Sequence, residues 1–172
     1  MSAVTDFRTS PLSLARIDSC GRDVGRRSYW KLYAIENLLR IIIHSVLTVE
    51  IKPAWWPIAA EEDLRNRVEG FQALYGAKPK HSKPGKHEIY YTFLTDLNKI
   101  IVAHRHFFIL HIADIDDWVT KIELVRLPRN IVGHMNWLNV ADRALIDDLH
   151  DDLQILVRRL GRTGSRVPLL IP

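Results

Sequence analysis

Cysteine is nearly absent from this chain of 172 residues. Cys20 stands alone, so no disulfide can form within the chain, and it lies in an Arg-rich polar leader away from the His-containing segments. That usage suits a reducing compartment, and the expected location is the cytoplasm. Long apolar runs are missing too. Met1 to Arg27 holds no stretch of signal-peptide type, and the run from Leu38 to Val49 is interrupted by Arg40 and His44, which argues against secretion and against a membrane span. Strand alternation, hairpin dipeptides in a strand context and internal repeats are also lacking, and this removes the sheet architectures.

What is present is ordinary globular composition, 47% hydrophobic and 26% charged, enough for one domain with its own core. The net charge is +4 with eight histidines counted neutral, a mild bias that favours an anionic partner such as RNA. Residues 1–27 have no sustained period and read as an extension, partly flexible or an arm for a second subunit, with a short turn of helix at Leu12 to Ile17. Residues 28–161 form the helical domain and 162–172 a tail.

Within the domain, apolar residues recur at threes and fours. Leu32, Ile35, Leu39, Ile42, Val46 and Val49 predict a first, central helix, and Leu64, Val68, Phe71 and Tyr75 a second, entered through Pro57 and closed at Gly76. A third is expected from Tyr90 to Ile112, and a fourth, capped by Asp114, Asp116 and Asp117, ends near Leu127. Asn139 caps a last helix carrying Leu149, Leu153, Leu156 and Leu160 to Gly161, with Asp147, Asp148, Asp151 and Asp152 as solvated charges. The fold class is therefore all-α, an antiparallel helical bundle of about four or five main helices. Between the second and third helices, Gly76 to Glu88 contains Lys78, Lys80, Lys83 and Lys86 and no large apolar side chain. It is a surface loop, and in the functional reading its lysines contact a nucleic-acid backbone.

Chemistry concentrates after Leu127-Pro128, in Arg129-Asn130-Ile131-Val132-Gly133-His134. Arginine offers a planar donor fork for phosphate and histidine a proton acceptor or donor near neutral pH. Asn130 and His134 are four apart, on one helical face, so the amide can orient the imidazole. Arg129 and His134 are five apart, roughly 140° around the axis, so one straight helix does not aim both at one atom. Either the long arginine reaches around, or two copies of the segment meet at a two-fold axis; the second is preferred. Gly133 would admit close approach there.

The order Arg129-Asn130-x-x-x-His134 before a final helix resembles the signature of the HEPN superfamily, the higher eukaryotes and prokaryotes nucleotide-binding domains. Ile35-Glu36-Asn37-Leu38-Leu39-Arg40 is similar to that family's acidic and basic first helix, and Tyr90 to Ile101 to a segment opening a middle helix in its RNA-surveillance and defence members. The resemblance spans about 28–161. It implies a dimeric, metal-independent endoribonuclease that cleaves through the ribose 2′-OH, leaving a 2′,3′-cyclic phosphate. His134 would be the acid or base and Arg129 the phosphate clamp, with Asn130, Glu36 and Arg40 supporting. A toxin or defence role with an antitoxin or regulatory partner is expected, and no cofactor.

Other readings stand beside this one. Glu36 and Arg40 are also spaced for an ordinary intrahelical ion pair. His104 and His106 point apart on a helix and lack a carboxylate at zinc spacing, so no metal site is expected. His104 and His111 fit hydrogen-bonded core or edge positions, and Trp55, Trp56, Trp118 and Trp137 fit core and interface. The competing functional class is a noncatalytic nucleotide- or RNA-binding or dimerisation module.

Overall fold

The first helical element is α1 (Ile17–Val24), which passes through a π-helical stretch (Gly25–Tyr29) into the 21 residues of α2 (Trp30–Glu50). The computed structural model describes residues 16–162 and 167–172, all-helical with no strand among them. The turn expected at Leu12 to Ile17 lies largely outside the described residues. The second half of the leader is helical, which periodicity missed because α1 buries no side chain.

Helix α2 is the centre of the fold. Leu32, Ile35, Leu39, Ile42, Ile43, Val46 and Leu47 are all buried, each side chain stabilising by about 1.5–3 kcal/mol relative to exposure. Val49, expected on the same stripe, is exposed near the helix end. Next come α3 (Trp56–Ala59) and α4 (Glu62–Gly76), separated at Ala60, where ψ is 131°. The single helix expected from Pro57 is therefore broken. Trp55, Trp56, Ala59 and Ala60 are all buried, and the chain turns there before Glu62 and Asp63 open a new first turn.

The expected third helix is also divided. A 3₁₀ turn (Glu88–Tyr91) precedes α5 (Leu94–Ala103), and α6 (Arg105–Phe108) follows a break at His104. Local polar bonds override the apolar period at both breaks. The Thr92 hydroxyl donates to the Ile89 carbonyl (2.7 Å), and the extended Phe93 N–H donates to Asp96 Oδ2 (2.9 Å). At the far end His104 Nε2 lies 2.8 Å from the Ala59 carbonyl oxygen. His111 Nε2 lies 2.6 Å from Glu50 Oε1, so both histidines have the edge role their spacing suggested.

Helix α7 (Ile115–Gly133) does not end near Leu127. It continues through Pro128, which removes the N–H that would bond the Leu124 carbonyl. Burial of Pro128 with Val125 and Val132 on the same side offsets the interruption. Asn139 caps α8 (Val140–Leu160) as expected, its Oδ1 accepting from the Asp142 N–H at 2.8 Å. Two α8 aspartates are not merely solvated: Asp147 pairs with Lys31 on α2 at 2.7 Å and Asp152 with Lys121 on α7 at 2.8 Å.

Helix α2 packs on α8, α8 on α7, and α5 on both α7 and α2. The tail folds back on this frame. Val167 is buried, the Leu170 N–H donates to Ser45 Oγ (2.8 Å) and the Tyr90 hydroxyl to the Pro172 carbonyl (3.2 Å). The helical stretch Ile17–Glu50 is long and apolar enough, by length and composition alone, to cross a membrane, yet half of its most apolar window is buried inside the protein.

Candidate functional site

Helix α7 brings Arg129 beside α2, where its Nε donates to Glu36 Oε1 at 2.8 Å. The other Glu36 oxygen accepts from Arg40 Nη2 at 3.0 Å. One carboxylate thus lies between two guanidiniums, and all three side chains are largely covered. Arg40 is further fixed by the carbonyls of Ile89 (3.2 Å) and Thr92 (2.9 Å) and by Asn37 Oδ1 (3.1 Å). The pair at 36 and 40 is therefore an intrahelical ion pair that also ties the 3₁₀ turn and its following residues to α2. Buried guanidinium donors satisfied in this way hold Glu36, and Glu36 holds Arg129.

Glu36 engages only the Nε of Arg129. Among the described residues neither terminal nitrogen of Arg129 has a hydrogen-bond partner, and the side chain lines two adjoining cavities. The larger, about 510 Å³, is walled by Tyr29, Tyr33 and Asn37 of the α2 region, by Tyr90, and by Gly133 and Met135 at the end of α7. The smaller, about 220 Å³, lies towards Phe71, Tyr75 and Phe93. Glu36, Arg40, Pro84, Tyr90 and Arg129 belong to both walls.

Arg129 also packs over the Phe93 ring, its guanidinium carbon 5.8 Å from the centroid, and Arg67 approaches the same ring at 5.9 Å. Arg67 is paired with the buried Asp96, the residue that caps the Phe93 N–H. Phe93 is therefore held from its backbone and from its ring.

His134 is the C-terminal cap of α7 (φ −90°, ψ 17°), with an exposed side chain. It is not in the wall of either cavity, although Gly133 and Met135 on both sides of it line the larger one. Asn130 is half-buried, and neither its amide nor the His134 imidazole makes a side-chain hydrogen bond among the described residues, so the expected contact between them is not formed within the chain. The helical spacing of four is kept, with the His134 N–H bonded to the Asn130 carbonyl at 2.9 Å, but the imidazole stands exposed at the helix end. Gly133 is not required by space either, since a Cβ there would lie 3.5 Å from Arg129 Nη1, ordinary contact.

After His134 the chain closes a six-to-one turn, with Asn136 N–H bonded to the Ile131 carbonyl and Met135 N–H to the Val132 carbonyl, both 2.9 Å. Met135 occupies the left-handed position of this turn (φ 59°), where glycine is usual, and its side chain is 86% exposed. Lys78, Lys80, Lys83 and Lys86 are exposed and form no ion pair among the described residues. Their loop is anchored at the site: Pro84 is in both cavity walls, the Tyr91 hydroxyl donates to the Gly85 carbonyl (3.1 Å), and any side chain at Gly85 would overlap the Tyr90 ring.

Sequence reasoning missed the aromatic members of the site. Tyr29, Tyr33, Glu36 and Arg40 follow one another at spacings of four, three and four, so a polar and aromatic stripe beside the apolar one was available to find Tyr29 and Tyr33. Phe93 and Arg67 carry no such signal. Among the described residues no group of three His, Cys, Asp or Glu is placed to hold a metal ion.

No protein-family model, curated protein or solved structure matches the chain.

Proposed function

We propose that the protein is a metal-independent endoribonuclease of HEPN type. The observation that carries this reading is Arg129: Glu36 fixes its Nε, its two terminal nitrogens have no hydrogen-bond partner among the described residues, and its side chain lines a cavity next to His134. Such a fork suits a phosphodiester, whose charge grows as the reaction proceeds. His134 would take the proton from the ribose 2′-OH, whose oxygen attacks phosphorus, or return a proton to the departing 5′-oxygen. The products are a 2′,3′-cyclic phosphate and a 5′-hydroxyl, and DNA is not a substrate.

Within one chain His134 stands outside the cavity walls that hold Arg129, which supports a composite site completed by a second copy. Tyr33, Leu127, Met135 and Val140, all exposed around the motif, offer apolar surface for such a contact. Light scattering on a size-exclusion column is expected to give a dimer at micromolar concentration, and a strict monomer would remove the composite site.

The decisive test incubates single-stranded RNA with the purified protein in EDTA, beside Arg129→Ala and His134→Ala. Cleavage by the wild type and a loss of roughly two to four orders of magnitude in His134→Ala are expected. Intact RNA, or cleavage unchanged in both variants, refutes the nuclease and leaves the noncatalytic RNA- or nucleotide-binding module. In cells, as a cytoplasmic toxin or defence effector kept in check by a partner protein, uncontrolled wild-type expression should slow growth and His134→Ala should not.

A further inference from the structure

The smaller cavity beside Arg129 has a composition that phosphate chemistry does not explain. Beyond the shared Glu36, Arg40, Pro84, Tyr90 and Arg129, its wall is Thr92 and four aromatic rings, Phe71, Tyr75, Tyr91 and Phe93, gathered from α4 and from the segment before α5. The rings meet edge to face: Phe71 and Phe93 with centroids 5.8 Å apart, Tyr75 and Tyr91 5.9 Å apart. Phe93 is 45% exposed and Tyr75 36%, so two large ring surfaces open towards the cavity side rather than into the core. An aromatic ring left open to solvent beside two guanidiniums is a surface on which a planar, partly polar ligand displaces water at little cost.

The volume narrows the choice. About 220 Å³ falls below the roughly 300–1,000 Å³ typical of pockets for drug-sized ligands, and suits one flat ring system. The two cavities share Arg40 and Arg129, so anything seated in the smaller one is covalently in reach of a phosphate held by Arg129. We infer that the Phe71, Tyr75 and Phe93 slot binds one unpaired nucleobase of single-stranded RNA, stacking the base next to the phosphate that Arg129 clamps. This rests on the ribonuclease reading and adds to it a base subsite beside the phosphate clamp, which a base held inside a duplex cannot enter. Stacking accepts every base, so sequence preference from this slot is weak.

Phe93 is held in place to do this. Its backbone N–H is tied to Asp96 and its ring is flanked by Arg67 and Arg129, so the platform is fixed before RNA arrives. Tyr75 is the better residue to change, since it sits near the end of α4 and bears less on the core.

The test measures binding of a fluorescent 2′-O-methyl single-stranded oligonucleotide, which lacks the attacking hydroxyl, by anisotropy with the full chain. Tyr75→Ala should weaken binding roughly 5- to 150-fold, the effect of losing one stacked base, while Tyr75→Phe keeps wild-type affinity. Circular dichroism confirms that each variant is folded, and Phe71→Leu, which keeps apolar volume without a ring, serves as the second variant and should also bind more weakly. An oligonucleotide made abasic at the stacked position should bind the wild type with the same loss and be indifferent to Tyr75→Ala. Wild-type affinity in both Tyr75→Ala and Phe71→Leu, with RNA cleavage by the wild type intact, overturns the slot and spares the nuclease. Equal loss in Tyr75→Ala and Tyr75→Phe assigns the effect to the hydroxyl and also overturns it. A nucleoside monophosphate binding as tightly as the oligonucleotide would make the cavity a free-nucleotide pocket instead. No binding and no cleavage of RNA by the wild type refutes both proposals together.

Discussion

Arg129 and Glu36 lie 93 positions apart in the chain and meet through a 2.8 Å bond from Nε to Oε1. The bond leaves the two outer nitrogens of Arg129 without a partner among the described residues while removing most of its freedom, which is the state a phosphate clamp needs before it meets its ligand. Glu36→Ala should therefore lower kcat/KM for RNA by roughly 10- to 100-fold, the scale of a misplaced catalytic contact. The fold should persist, because Arg40 keeps its bonds to Ile89, Thr92 and Asn37. Glu36→Gln, which retains an acceptor, should lose less. Cleavage kinetics beside far-UV circular dichroism check this, and an unaffected rate in Glu36→Ala would mean that Arg129 needs no support.

The four loop lysines should act on RNA through charge alone. They are exposed, unpaired among the described residues, and carried by a loop whose Pro84 forms part of both cavity walls. Each phosphate contact to a single strand contributes about 0.7 to the slope of log affinity against log salt. Replacing Lys78, Lys80, Lys83 and Lys86 with alanine should flatten that slope by up to roughly 3 and weaken binding about equally for all RNA sequences. A slope unchanged by the replacement would place the strand elsewhere.

Helices were legible in the sequence wherever burial alone decides them. The stripe on α2 up to Val46 and the Asn139 cap of α8 stand as read, because burial and capping are local in sequence. The breaks at Ala60, Phe93 and His104 were not legible. They depend on partners such as Asp96 or the Ala59 carbonyl, whose positions no window of apolar spacing contains. Pro128 reversed the error: a residue that usually ends a helix is tolerated in α7 because its ring is buried. The same holds for the site. Arg129, Glu36 and Arg40 could be named from the sequence, but the segment contacts that join them, and the aromatic slot beside them, come from packing of α2, α4 and α7.

Met135→Gly should stabilise the protein. A non-glycine residue in the left-handed region costs about 1–2 kcal/mol, and the Met135 side chain makes little use of burial to offset it. Urea denaturation should show a gain of about 1 kcal/mol, reduced somewhat by the greater freedom of glycine in the unfolded chain. If Met135 contributes to a contact between two copies, the same variant should shift the dimer to higher dissociation constant while its monomer gains stability. Loss of stability at a concentration where the protein is monomeric would contradict the strain argument.

The basic loop is joined to the core through histidines, which makes its attachment sensitive to acid. His44 on α2 accepts from Trp55 Nε1 at 3.1 Å, and its ring meets the His87 ring edge to face with centroids 4.7 Å apart. His87 in turn caps the 3₁₀ turn, its Nδ1 accepting from the Ile89 N–H at 3.1 Å, and packs near Trp55 and Trp56. Burial, and then the neighbouring His87, pushes His44 down to about 4 from its ordinary 6.5, and burial likewise lowers His87 against the opposing pull of Glu88. Both bonds need a neutral acceptor nitrogen, so protonation breaks them. Below pH 6.5 the unfolded chain takes up protons that the folded chain refuses, so unfolding becomes easier as pH falls; stability should be flat above 6.5 and decline between about 6.5 and 4. The loss should be on the order of 2 kcal/mol for His44, reduced from the full shift because its side chain keeps some contact with water. Denaturation midpoints across that pH window measure it, with His44→Gln as the comparison: the substitution should lower stability at pH 7 and make the remaining decline shallower. An equally steep decline in His44→Gln would assign the acid sensitivity to other groups.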